Sequence, residues 1–157
     1  MAGTDKSQDQ TFRPSPAIIL CEPQLGENIG AAARAMANFG LWDLRLVNPR
    51  DGWPNVHAER AASRADHVLE KVQVFHTLAD AIADLQLVYA TTARSRDMQK
   101  DVLGPMAATT NLASHIGAGG KAGVLFGRER WGLYNDEIAV EDAIVTFPVE
   151  AAFASSK

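Results

Sequence analysis

The 157-residue chain is the length of one domain, and its 46% hydrophobic and 22% charged residues describe a globular protein rather than a disordered one. No apolar run approaches the roughly 18 residues a membrane span needs, and Met1 to Gln10 lacks the apolar stretch of a secretory signal. Cys21 is the only cysteine, which excludes a disulfide framework and a Cys-based zinc cluster and points to a reducing, cytoplasmic setting. A net charge of −4 argues against nucleic-acid binding through bulk charge.

Residues 1–15, polar and ending in Pro14-Ser15-Pro16, read as a flexible tail before a single domain over 16–157. Ala17 to Cys21 is a short apolar run, predicted as a buried strand and broken by Pro23, Gly26 and Asn28. A helix follows from about Asn28 to Phe39, closed by Gly40. Leu44 to Val47 is a second strand, Asn55 to Arg64 a helix, and Val72 to Phe75 a short strand. Thr77 with Asp80 opens a helix through Leu85. Leu87 to Ala90 is a strand, Thr91 to Pro105 a long loop, Met106 to Ile116 a helix and Gly123 to Phe126 a strand. A short helical segment near Asn135 to Ile138 precedes a last strand, Ala143 to Phe147. Helices and continuous apolar strands alternate, so the fold class is α/β: one domain, a mostly parallel sheet, helices on both faces. A ligand site is expected beyond the C-terminal ends of the strands.

Several familiar chemistries fail on context. The glycines from Gly117 to Gly123 follow a helix and open a strand, the reverse of a phosphate loop, and Lys121 is followed by Ala122 instead of Ser or Thr. His57, His67, His76 and His115 have no metal-ligand spacing, and no G-x-S-x-G elbow is present. A dinucleotide-binding oxidoreductase would need a glycine fingerprint after the first strand, where Glu22 to Asn28 holds one glycine.

Three segments carry more. On the first helix, at about 100° per residue, Ile29, Ala32, Ala33 and Met36 form the stripe toward the sheet. Gly30, Ala31, Arg34, Ala35 and Asn38 lie opposite, where small residues around one arginine suggest the close approach of another subunit. Thr91-Thr92-Ala93-Arg94-Ser95-Arg96 and Phe126-Gly127-Arg128-Glu129-Arg130-Trp131-Gly132-Leu133 each follow a strand, so both loops should lie along one sheet edge. Paired arginines there suit bidentate contacts to phosphate.

Asn28-Ile29-Gly30-Ala31-Ala32-Ala33-Arg34-Ala35 resembles the first motif, and Leu125 to Leu133 the second motif, of the SPOUT (SpoU/TrmH-type) RNA 2′-O-ribose methyltransferases. The resemblance covers about Ala17 to Ser155, and Ala90 to Arg96 looks most like the branch that methylates nucleotide 32 of the tRNA anticodon loop. It implies an α/β knot fold, a homodimer, and S-adenosylmethionine as cofactor, held by Thr91, Thr92, Ala93, Gly127, Gly132, Phe147 and Ser155. It further implies Arg34 as the catalytic arginine, Asn28 as the residue ordering its surroundings, Glu129 near the reacting centre, and Arg94, Arg96, Arg128 and Arg130 as contacts to tRNA. The third motif, Ser-Leu-Asn before a knot-threading helix, is replaced by Phe153-Ala154-Ser155-Ser156-Lys157. The expectation is therefore a knot-forming C-terminal tail missing from this chain. A non-catalytic protein of the same fold, binding RNA or a partner, is the alternative this departure suggests.

Overall fold

Seven strands, every neighbouring pair parallel, form one sheet in the computed structural model, which describes residues 14–92, 102–127 and 143–146. They are β1 (Ala17–Cys21), β2 (Leu44–Val47), β3 (Gln73–Phe75), β4 (Leu87–Thr92), β5 (Val102–Leu103), β6 (Ala122–Phe126) and β7 (Ala143–Thr146), in the order β3-β2-β1-β6-β4-β7-β5. The helices are α1 (Gly26–Asn38), α2 (Val56–Ala62), α3 (Asp66–Glu70), α4 (Leu78–Ala81) and α5 (Pro105–Gly117). No helix among the described residues is long and apolar enough to cross a membrane.

Alternation along the strands divides the core in two. Ala17, Ile19 and Cys21 of β1 join Val88, Ala90 and Leu125 under α4, with Leu78, Ile82 and Leu85 packed against them. Ile18 and Leu20 face the other way, against Ile29, Ala33 and Met36 of α1, and α2 and α3 add Ala58, Ala62 and Val68. Tyr89 shares the register level of Val124, and Val124 that of Ile18, so Tyr89 lies on the α1 side, where Ala108 and Leu112 of α5 cover it. Helices therefore cover both faces, which is what continuous apolar strands require.

The ends of the helices follow from local chemistry. Gly40, at φ +74°, takes the left-handed conformation that closes α1. The Asn55 side chain caps α2 by accepting from the N–H groups of His57 at 2.9 Å and Ala58 at 3.3 Å. The predicted helix over 55–64 ends at Ala62, because Ser63 adopts φ 54°, ψ −110°, and a separate helix, α3, that the sequence did not announce starts at Asp66. That backbone state costs an L-residue on the order of 1–3 kcal/mol and breaks the helical hydrogen-bond ladder. The predicted helix from Thr77 to Leu85 stops at Ala81, because Arg45 Nη1 donates to the Ala81 carbonyl at 2.7 Å and Leu85 N turns to Ile82 O instead. Within the predicted loop 91–105, β4 continues to Thr92 and β5 pairs with β7, in a strand too short to leave a pattern.

Among the described residues Arg45, on β2, is the charged residue inside the core, its side chain 6% exposed. Its guanidinium bonds Asp43 at 3.0 and 3.1 Å and Asp84 at 2.6 and 3.0 Å. Burial alone would lower its proton affinity, but the two carboxylates more than offset this and raise it above the ordinary arginine value. The same contact holds the Asp84 carboxyl below the usual carboxylate range.

Candidate functional site

Because all seven strands run the same way, their C-terminal ends share one edge. There β1 and β6 lie side by side, yet β1 leads to β2 on one side and β6 leads towards β7 on the other. Neighbouring strands whose connections leave in opposite directions open a crevice between their ends. Thr91 and Thr92 close β4 next to it, and Gly127 follows β6 directly. Thr91 Oγ1 donates to Leu125 O at 3.0 Å, which pins its side chain to the neighbouring strand and leaves the oxygen's lone pairs to accept. The two predicted ligand loops thus leave adjacent strands at one edge, as the alternation of elements implied.

α1 starts at this edge and runs down the sheet. Asn28 is exposed in its first turn, with its N–H bonded to Leu25 O at 3.1 Å. Arg34 is exposed further along. Six residues separate them, about 9 Å of helix rise, so they are not helical neighbours.

The face opposite the sheet also differs from expectation. Ile29, Ala33 and Met36 are buried on the sheet as predicted, but Gly30 is buried too. A Cβ there would meet Ala58 O, and would come within 2.7 Å of Ala61 Cβ and Ala62 N. The small residue at position 30 serves the contact of α1 with α2 in the same chain, not the approach of another subunit. Of the other small residues on that face only Ala35 borders an apolar depression, of about 330 Å³, which is also lined by Ile18, Leu20, Ala32, Met36 and Phe126, with Phe39 80% exposed beside it.

Arg34 lines a different depression, of about 570 Å³, together with Asn38, Ser63, Arg64 and His67. Neither Arg34 nor Arg64 forms an ion pair among the described residues, whereas Arg45 is bound by two carboxylates and Arg50 by Asp51 at 3.2 Å. The Arg50 contact holds the Asp51 carboxyl below its usual range. Arg64 did not stand out in the sequence because it only closed the predicted helix over 55–64, and His67 was weighed only as a metal ligand.

Of the other expected site residues, Ala93, Arg94, Arg96, Arg128, Glu129, Arg130, Gly132, Phe147 and Ser155 lie outside the described residues. What remains is the strand-end crevice, bordered by Thr91 and Gly127 with Glu22 directly after β1, and, on the adjoining helix, an exposed guanidinium without an ion pair among the described residues. The crevice offers backbone and hydroxyl groups to a ligand, and the Arg34 depression, which shares no lining residue with the strand ends, offers a guanidinium to an anion.

The profile of the SpoU rRNA Methylase family matches residues 15–155. The chain is 37% identical over 142 residues to the uncharacterized tRNA/rRNA methyltransferase LasT of Escherichia coli, covering 88% of this chain and 60% of that protein. It is 36% identical to the tRNA (cytidine/uridine/adenosine-2′-O-)-methyltransferase TrmJ of Pseudomonas aeruginosa, over 88% of this chain and 53% of that one. The crystal structure of TrmJ from Z. mobilis superposes with a TM-score of 0.83 at 55% identity, over 88% of this chain and 60% of that chain. The chain thus spans less than two thirds of the length of these relatives.

Proposed function

Because the chain belongs to the SpoU rRNA Methylase family, we propose that it acts in the S-adenosylmethionine-dependent methylation of RNA ribose 2′-oxygens, in the cytoplasm. The substrate class is tRNA, and the finer target is the ribose of anticodon-loop nucleotide 32. The names of the E. coli and P. aeruginosa relatives support the substrate class. The single observation that carries the reading is Arg34: exposed, without an ion pair among the described residues, in the first family motif and on the helix that starts at the crevice.

Transfer of a methyl group to the ribose 2′-oxygen would release the hydroxyl proton, which a group on the protein must accept. S-adenosylmethionine supplies the electrophilic methyl group when bound. The described strand ends fit such a group. β4 and β6 finish side by side in Ala90, Thr91 and Gly127, small and uncharged, so a ligand can come close to the backbone there. Thr91, Thr92 and Gly127, with Ala93, Gly132, Phe147 and Ser155, would hold it. Arg34 clamps the RNA phosphate next to the reacting ribose and stabilises the alkoxide developing on the 2′-oxygen. A guanidinium keeps its protons throughout the physiological range, so it acts as an electrostatic clamp and not as the base. Glu129 is the candidate proton acceptor near the reacting centre, and Asn28 a positioning residue. Arg94, Arg96, Arg128 and Arg130 extend the contact along the RNA backbone. The exposed Phe39 beside an apolar depression supports a homodimer as the working form.

The test is labelled-methyl transfer to a tRNA transcript. Arg34→Ala should keep the fold, read by circular dichroism, and abolish transfer. Arg34→Lys should restore little, because an ammonium lacks the planar fork. Turnover of the alanine variant at the unmodified rate would overturn the assignment.

A further inference from the structure

Two depressions flank the link between α2 and α3, and their charges are opposite. On one side Arg34, Arg64 and His67 gather with Asn38 and Ser63. On the other, Glu59, Asp66 and Glu70 line a separate hollow with Trp53 and Pro54. Asp66, two residues after Arg64, thus lies in the other hollow, and no ion pair neutralises Arg64 among the described residues. Ser63, at φ 54°, makes the abrupt turn that ends α2 and puts Arg64 in the link. A chain with net charge −4 can hold a polyanion only where its charges are sorted in this way.

We infer that Arg64, supported by His67 and the Ser63 turn, is a second RNA-contacting position that grips a backbone phosphate beside the one held by Arg34. The inference rests on the reading of Arg34 given above. It assigns the α2–α3 turn, which lies outside both family motifs, to holding the RNA in place. Arginine suits that task because its fork meets two phosphate oxygens at once. Asn38 and the Ser63 hydroxyl add uncharged donors on the same wall. Arg64 is a positioning residue, acting on where the RNA lies and not on the reacting atoms.

The experiment measures binding of a tRNA transcript to the 157-residue chain over a range of salt concentrations, alongside labelled-methyl transfer. Arg64→Ala should weaken tRNA affinity about tenfold and reduce the magnitude of the salt slope by about 1, the signature of one lost phosphate contact. Arg64→Glu should weaken it further, and Arg64→Lys should recover the slope but only part of the affinity. In transfer, KM for tRNA should rise more than kcat falls, a split that general misfolding would not produce. Lys121→Ala, which removes the same charge at the other edge of the sheet, should leave both affinity and slope unchanged. An Arg64→Ala protein with unchanged affinity and slope overturns the inference while leaving the methyltransferase reading intact. Arg64-dependent tRNA binding without any transfer upholds the inference and removes the methyltransferase reading. A chain that binds no tRNA at all overturns both, and one whose Arg64 responds only to an acidic peptide assigns the turn to a protein partner and overturns the inference.

Discussion

Gly30→Ala tests the contact between α1 and α2. The added methyl would press on Ala58 O and come within 2.7 Å of Ala61 Cβ and Ala62 N, where ordinary van der Waals contact begins at 3.4 Å. Two of these three atoms belong to the α2 backbone and cannot rotate aside, so α2 must retreat by most of an ångström. Overpacking of this kind costs about 1–3 kcal/mol. Alanine returns up to about 1 kcal/mol through its better helix propensity. The contact is with backbone, which puts the strain in the upper half of its range, so the net loss should be about 1–2 kcal/mol. Urea unfolding followed by circular dichroism would read it as a lower midpoint with an unchanged slope. A retreat of α2 also shifts the Ser63–Arg64 turn away from Arg34, so tRNA affinity should fall with stability. An alanine variant more stable than the parent by about 1 kcal/mol, as expected for an exposed helical glycine, would refute the close approach.

Asp84→Asn probes the ion pair with buried Arg45. The Asp84 carboxyl sits below its usual range in the folded protein, so its contribution is complete above the unfolded value of about 4 and is lost as pH falls through the lower folded value. The variant should lose about 1 kcal/mol at neutral pH, a modest figure because solvent screens a half-exposed carboxylate, and its acid unfolding profile should be flatter below pH 4. An acid profile identical to the parent's would assign no stability to the pair. Phe39→Glu should lower the dimer fraction in sedimentation without changing the melting temperature of the monomer, and equal masses for the two proteins would remove Phe39 from the interface.

The sheet was legible because β1, β4 and β6 are buried on both faces, which leaves a short apolar run between breakers in each case. α1 was legible for the matching reason: Ile29, Ala33 and Met36 fall on one stripe. What stayed hidden depended on distant residues. Nothing near Ala81 announces that Arg45, from β2, takes its carbonyl and ends α4. Nothing in Gly30 distinguishes a subunit contact from a contact with α2, because both select the smallest side chain. The expected site residues came from the motifs, whereas Arg64 merely closed the predicted helix over 55–64, which Ser63 ends by backbone conformation alone.

The place of β6 has a consequence for how the chain comes together. It lies between β1 and β4 and is the sixth strand in sequence order, so Ile18 and its register partner Val124 are separated by most of the described chain. A nascent chain that has delivered β1 to β4 still has a vacant slot in the middle of its sheet, with a raw hydrogen-bonding edge on each side of it. Gly123 fits that slot narrowly, since a Cβ there would come within 2.7 Å of Leu85 Cδ1. Until β6 arrives, either edge can be taken by a strand of another molecule, and such late, long-range closure is slow. Aggregation during synthesis, more than unfolding afterwards, is the hazard this strand order creates, and it should be greatest for chains released before residue 126.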